Sequence, residues 1–98
     1  MSGAGPALQV VGDRWEVAGA MTMDSVTHLL EASKTLATPQ AGVVDLGHVE
    51  RFDSAGVSLL LAWKRRAAAE GKTLQFARVP PSMTSLAELY GVEEMLTA

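Results

Sequence analysis

The most informative part of the chain runs from residue 43 to residue 61 and reads VVDLGHVERFDSAGVSLLL. It opens inside the short apolar run 41–46, which is bounded by a proline and a glycine and is typical of a buried central strand. The more polar residues 47–53 predict a loop. An apolar helix then begins at Ser54 and continues until Gly71, a residue suited to the position just past a helix end. This stretch therefore predicts a strand, a loop and a long helix in succession.

The residues before this stretch predict a hairpin and a helix. Two β-prone runs, Leu8 to Val11 and Trp15 to Ala18, are separated by a Gly12-Asp13-Arg14 turn that favours antiparallel pairing. A helical period begins at Thr22, which can cap the first turn, and Thr38-Pro39 ends the helix. The predicted inner face of this helix comprises Val26, Leu29, Leu30, Ser33, Leu36 and Ala37.

The residues after it predict one more strand and helix. The alternation from Thr73 to Ala77 favours a strand, and Pro80-Pro81 breaks the chain. Ser82 is placed to cap a last helix that ends at Gly91, and Val92 to Leu96 forms a short apolar tail. The order β-β-α-β-α-β-α predicts an α/β sandwich: a mixed β-sheet edged by a hairpin, with helices packed mainly on one side.

Composition limits the classes of function. The 98 residues suit one domain, which we place at 8–98 after a flexible N-terminus at 1–7. Eight basic and eleven acidic residues give a net charge of −3, which disfavours nucleic acid as a partner. No apolar run approaches the roughly 18 residues of a membrane span, so we expect no direct membrane insertion.

Site chemistry has few residues to draw on. The chain has no cysteine and only two histidines, His28 and His48. Thiolate metal sites and disulfides are excluded, and a histidine-centred catalytic site has little support. We expect no metal, no cofactor and no enzymatic activity.

Two polar residues stand together where the second helix begins. Asp53 and Ser54 can each accept hydrogen bonds from the free N–H groups of a helix N-terminus, so the simplest interpretation is an ordinary N-cap. One cap is sufficient, however, and both positions are polar. Phe52 and Val57 flank the pair with apolar side chains that would anchor the loop. We therefore predict that the Ser54 hydroxyl stays at the surface, available for contact.

The second helix has two distinct faces. Helical spacing places Gly56, Leu60, Trp63 and Ala67 against the sheet. The outward face carries small residues near its start and cations further along: Ala55, Ser58, Ala62, Arg65, Arg66 and Ala69. Small residues permit close approach of another helix, and arginines can pair with its carboxylates. A solvated basic surface is the alternative for the cations.

The run Asp53-Ser54-Ala55-Gly56, followed by an apolar helix, resembles the signature of STAS domains, which occur in anti-sigma factor antagonists and in transport systems. The similarity covers nearly the whole chain. It is closest to the MlaB-type subunit of Mla phospholipid-transport ABC complexes, including the ending SLAELYGV at residues 85–92.

This resemblance implies a non-catalytic subunit that binds and supports the ATPase of an Mla-type ABC transporter, within a complex that includes a permease and maintains outer-membrane lipid asymmetry. The chain would be cytoplasmic and peripheral at the inner membrane through its partner. The expected partner-binding residues are Ser54, Asp53, Ala55, Ser58, Ala62, Arg65 and Arg51.

One departure bears on the alternatives. In the phosphorylated anti-sigma factor antagonists that the motif resembles, the modified hydroxyl directly precedes the glycine, and here that residue is Ala55. An antagonist of this kind would have to be phosphorylated at Ser54 by an anti-sigma factor kinase. A hydrolase with Ser54 as nucleophile and His48 or Asp53 assisting is a third possibility, disfavoured because the GxSxG elbow is missing.

Overall fold

The structure is a computed structural model, of which residues 6–97 are described. No helix in that range is long and apolar enough to cross a membrane. The secondary-structure elements, in chain order, are β1 (Ala7–Val11), β2 (Arg14–Met21), α1 (Val26–Lys34), β3 (Val43–Phe52), α2 (Ser54–Ala69), β4 (Gln75–Ala77), α3 (Pro81–Leu89) and α4 (Glu94–Thr97).

The four strands form one mixed sheet in the order β1-β2-β3-β4. The β1–β2 hairpin is antiparallel and turns at Gly12, whose φ of +62° suits a residue without a side chain. The β2–β3 and β3–β4 pairs are parallel, as the intervening helices require. The predicted element order and mixed sheet are confirmed. Ala7, assigned above to the N-terminal lead-in, begins β1, and residues 1–5 lie outside the described range.

The third strand is longer than predicted. Residues 47–52, predicted as a loop, continue β3 to Phe52, and only Asp53 separates it from α2. Pairing with β2 extends to Met21 opposite Phe52, with register shifts on the way. Main-chain pairing between β2 and β3 therefore continues beyond the apolar run 41–46. Most side chains of this extension are exposed.

Both predicted caps outside α2 are wrong. Ser25 occupies the N-cap position of α1, but its side chain caps no helix N–H. Its hydroxyl accepts from the N–H of Thr22 at 2.8 Å and donates to Ala20 O at 2.7 Å, which closes the turn before the helix. The helix ends at Lys34, ahead of Thr38-Pro39. In α3, Ser82 lies inside the helix, which starts at Pro81 with no side-chain cap. Proline suits that first position because its fixed φ is already helical.

The C-terminal elements also differ from prediction in extent. The fourth strand is confined to Gln75–Ala77, although the preceding Leu74 is buried. The predicted apolar tail contains the short helix α4, and its Leu96 packs in the core.

The core lies between the sheet and the helices. It consists of Trp15, Val17, Met21, Leu29, Val44, Leu46, Val57, Leu59, Leu60, Trp63, Ala67, Leu74, Phe76, Met83, Ala87 and Leu96. Trp15 and Trp63 meet edge to face, with ring centroids 5.5 Å apart. The predicted inner face of α2 is confirmed, because Gly56, Leu60, Trp63 and Ala67 are all buried.

Two polar links join α1 to α2 beyond this apolar packing. The indole N–H of Trp63 donates to Ser33 Oγ at 3.0 Å. Arg66 donates to the carbonyl oxygen of Ser33, in the last turn of α1, and to that of Leu36, just past the end of the helix. Arg66, predicted on the outward face of α2, is therefore engaged within the fold.

A buried carboxylate lies in the middle of the sheet. Asp45 is 2% exposed and receives hydrogen bonds from Arg78 Nε at 2.9 Å and from Arg14 Nη1 at 3.2 Å. The N–H of Gly47 also donates to it, at 2.8 Å. The hydrogen bonds from Arg78 hold the pKa of Asp45 below its ordinary value, against the opposing effect of burial. Arg78 reaches the carboxylate from a left-handed backbone conformation with φ +53°.

Replacing this carboxylate should change stability in a pH-dependent way. Because the pKa of Asp45 is lowered in the folded state, its stabilisation is present above the unfolded pKa and is lost as pH falls through the folded value. We expect Asp45→Asn to reduce the free energy of unfolding at pH 7 by about 1–3 kcal/mol. The difference from wild type should shrink below about pH 4.

Urea unfolding of both proteins between pH 7 and pH 3 measures this. Asp24→Asn, at an exposed position in the turn before α1, is the matched control and should change stability little. A destabilisation by Asp45→Asn that is as large at pH 3 as at pH 7 would contradict the assignment.

Candidate docking site

The junction between β3 and α2 is organised by Asp53. This residue is the N-cap of α2, and its Oδ1 accepts from the N–H of Ala55 at 2.8 Å. Its Oδ2 accepts from the N–H of Met23 at 3.0 Å, in the turn between β2 and α1. The bond from Met23 is the largest contribution that lowers the pKa of Asp53. Asp53 is thus more than a helix cap, because it fastens α2 to the start of α1.

Gly56 allows the same two segments to come close. It is buried in the first turn of α2, and a Cβ at this position would collide with the backbone carbonyl of Met21. Only glycine therefore fits without a backbone shift. The Asp-Ser-Ala-Gly sequence uses its first and last residues to seat α2 against the end of β2.

Ser54 lies between these two anchors with its side chain exposed. It is the first residue of α2, and no hydrogen bond to its hydroxyl occurs among residues 6–97. The N-cap interaction belongs to Asp53 instead. The Ser54 hydroxyl therefore points to the surface beside a helix N-terminus, as predicted.

A shallow apolar groove lies between α1 and α2. Its volume is approximately 320 Å³, and most of its lining is apolar. The residues that line this docking groove are Val26, Thr27 and Leu30 from α1 and Ala55, Ser58, Leu59 and Ala62 from α2. Most of the side chains that α2 contributes to the groove are small. A side chain or a helix from another molecule can therefore approach the α2 backbone closely.

The structure brings together three of the seven predicted contact residues, Ala55, Ser58 and Ala62, which line the docking groove. Ser54 lies one helical turn before Ser58 on α2, after the N-cap Asp53. Arg51 is exposed on β3, opposite Ala20, and does not line the groove. The role of these residues in binding stays a prediction.

Arg65 lies on another surface. It lines a second, basic groove with Lys64, Ala68, Lys72, Thr73 and Leu74. Lys64 is held there with its ammonium 5.9 Å from the ring centroid of Phe76. Arg65 itself is exposed, and it forms no ion pair within the part of the chain that the structure describes.

The α1 wall of the docking groove was missed in the sequence, since Val26 and Leu30 were predicted only as core-facing residues. Local periodicity cannot reveal this wall, because it depends on how α1 lies against α2. Of the two methionines before α1, Met21 is completely buried, whereas Met23 is 76% exposed. The bond from Met23 N–H to Asp53 places Met23 beside the start of α2.

The groups considered for serine chemistry are engaged elsewhere. His48 Nε2 lies 3.5 Å from an Nη atom of Arg78, and both carboxylate oxygens of Asp53 accept backbone N–H groups. Within residues 6–97, neither forms a hydrogen bond with Ser54, and no group of three or more potential metal ligands occurs. Neither His48 nor Asp53 is therefore placed in this structure as a hydrogen-bonded base for Ser54.

Comparisons with known proteins place this geometry in a family. A family model described as "Mlab, STAS domain" matches residues 5–97. Among solved structures, the unphosphorylated form of the anti-sigma factor antagonist SpoIIAA superposes with a TM-score of 0.63 at 17% identity, covering 87% of this chain and 83% of that one. This likeness supports the fold.

A second solved structure extends the likeness to a larger protein. The crystal structure of Mglu matches with a TM-score of 0.54 and 25% identity over 76% of this chain, but only 19% of that chain is covered. A comparison with curated proteins found no match.

Variants at the junction should separate anchoring from contact. We expect Asp53→Ala to lower the free energy of unfolding by about 1–2 kcal/mol, because it removes a helix cap together with the link to Met23. Ser54→Ala should stay within about 0.5 kcal/mol of wild type, since its side chain is exposed.

Thermal or urea unfolding measures both effects, and hydrogen exchange at the Met23 amide reports the lost link directly. Equal stability losses in the two variants would show that Ser54 also anchors the helix.

Proposed function

Because this chain belongs to the Mlab, STAS domain family, we propose that it is a non-catalytic subunit that binds and supports the ATPase of an Mla-type ABC phospholipid transporter. Contact is made through the docking groove between α1 and α2, with Ser54 at its edge. The subunit acts at the cytoplasmic side of the inner membrane, held there by the transporter.

The observation that carries this proposal is the docking groove itself. Three residues expected to contact a partner, Ala55, Ser58 and Ala62, lie together in its wall. The groove is open and apolar, and both Ser58 in its wall and Ser54 one helical turn earlier on α2 are exposed. An apolar centre with a polar border is the usual composition of a protein–protein contact.

The groove indicates what the partner presents. A volume of approximately 320 Å³ between two helices accommodates one or two large side chains rather than a folded segment. We therefore propose that the ATPase inserts apolar side chains from a helix. The Ser54 hydroxyl donates to, or accepts from, a polar group at the edge of the same helix.

Filling the groove should prevent binding. We expect Ala62→Trp to weaken binding to the purified Mla-type ABC ATPase of the same organism by at least about tenfold, because an indole would occupy the space. Ser54→Ala should weaken binding less, by the loss of one hydrogen bond at the edge. Binding isotherms and the ATPase rate with and without each variant measure both effects.

Ala69→Trp is the matched control, since Ala69 is exposed on the same helix but does not line the groove. It should bind as wild type does. Unchanged binding by a correctly folded Ala62→Trp variant would contradict the proposal.

A second function is supported by two observations. The fold matches that of the anti-sigma factor antagonist SpoIIAA, and the Ser54 hydroxyl is exposed at the N-terminus of α2, where a phosphate is electrostatically tolerated. In this alternative the chain is an anti-sigma factor antagonist, and an anti-sigma factor kinase phosphorylates Ser54 to release it.

Phosphorylation discriminates between the two functions. If the chain is a transporter subunit, we expect mass spectrometry of protein purified from its own cells to find Ser54 unmodified, with Ser54→Asp weakening ATPase binding through its charge. Phosphate on Ser54, together with release of a kinase partner and no binding to the ATPase, would favour the antagonist instead.

A further inference from the structure

The two edges of the sheet are not equally protected. At one edge, β4 is only three residues long, and Arg78 follows it at once with a positive φ that turns the chain. The other edge is β1, a five-residue strand that pairs only with β2 among the described residues. Its sequence, ALQVV, contains neither a charged residue nor a proline. Charges and prolines are the usual means by which proteins keep an edge strand from pairing.

The last two side chains of β1 are also apolar and accessible, one on each face of the sheet. Val10 is 56% exposed and Val11 is 43% exposed. Exposed valines on a strand with unpaired main-chain groups form a template for another strand. The partner of this edge is therefore expected to be an extended segment of chain.

The hairpin determines which main-chain groups are free. Val11 and Arg14 flank a two-residue turn and lie opposite each other, so they form a hydrogen-bonded pair. Alternation along the strand then directs the N–H and C=O groups of Gln9 and Ala7 toward β2 as well. Leu8 and Val10 direct theirs outward.

We propose that β1 is a homodimerisation edge, on which the β1 strand of a second copy adds in antiparallel orientation about a two-fold axis at Gln9. This register places Leu8 opposite Val10 of the second copy, so the two residues with free main-chain groups become a hydrogen-bonded pair. No charges oppose each other, and the apolar side chains of Leu8 and Val10 meet across the junction. The two sheets become one continuous sheet.

The register makes a cysteine test specific, because the chain has no native cysteine. In this dimer, Gln9 faces its own copy in a non-hydrogen-bonded pair, with Cα atoms about 4.5 Å apart. That separation permits a disulfide. We expect Gln9→Cys to form a covalent dimer under mild oxidation at least about tenfold more than Gln75→Cys. Gln75 is the matched control, since it is an exposed glutamine on the opposite edge.

The mass in solution provides the second measurement. Analytical ultracentrifugation of the full wild-type chain should give a dimer, and Val10→Lys should give a folded monomer, because a lysine at this exposed position disfavours strand pairing. Ala62→Trp in the docking groove should leave the dimer intact, so this inference and the proposed function can fail separately.

Three results would overturn the dimer. The first is a monomeric wild type at about millimolar concentration, and the second is equal cross-linking of the two cysteine variants. The third is a monomer whose Leu8 and Val10 amides become protected from hydrogen exchange only when the ATPase is added. That outcome would assign the edge to a strand of the partner.

Discussion

The carboxylate of Asp53 holds together the two helices between which the docking groove lies. It accepts from the first turn of α2 with one oxygen and from the turn that leads into α1 with the other. Toward the C-terminal end of α1, Arg66 of α2 donates to the carbonyl oxygens of Ser33 and Leu36. Trp63 donates to the hydroxyl of the same Ser33. Because polar links of fixed geometry set the separation of the helices, the groove does not have to collapse in order to bury its apolar lining. When the helices are already held in place, binding a partner costs less free energy for ordering the protein.

The sequence predicted the element order and the inner face of α2, because both follow from local periodicity. Gly56, Leu60, Trp63 and Ala67 recur at helical spacing, and Gly71 ends the helix as expected. Three other features depend on contacts that periodicity along one element does not show. Ser25 rather than Thr22 occupies the N-cap position of α1, and its hydroxyl donates to a carbonyl of β2 instead of accepting from the helix. The extension of β3 depends on β2, and the groove depends on the α1 wall. The pairing of Asp45 could have been predicted. It is the one acid in the apolar run 41–46, and an acid buried in such a strand must have a partner.

Ala55 connects the docking groove with the question of switching. In the phosphorylated antagonists that the motif resembles, the residue at this position carries the modified hydroxyl. Here its side chain is a methyl group in the wall of an apolar groove. A phosphate at this point would place nearly two negative charges in the space that a partner's side chains would fill, and would prevent their entry. Alanine removes that mode of control. Control by phosphate in this chain would have to act through Ser54 instead, outside the wall of the groove.

The four residues of the Asp-Ser-Ala-Gly run divide into two classes by what the fold requires of them. Asp53 and Gly56 are committed to seating α2, one through backbone hydrogen bonds and the other through close approach to Met21. The side chains of Ser54 and Ala55 do not hold α2 in place. The first is exposed, and the second faces the groove. Changes at the first pair alter binding only by displacing the helix, and therefore also alter stability. Changes at the second pair alter the surface that a partner meets and leave the helix in place. In the proposed function, the Ser54 hydroxyl can contact a partner without giving up a hydrogen bond, since it makes none within residues 6–97.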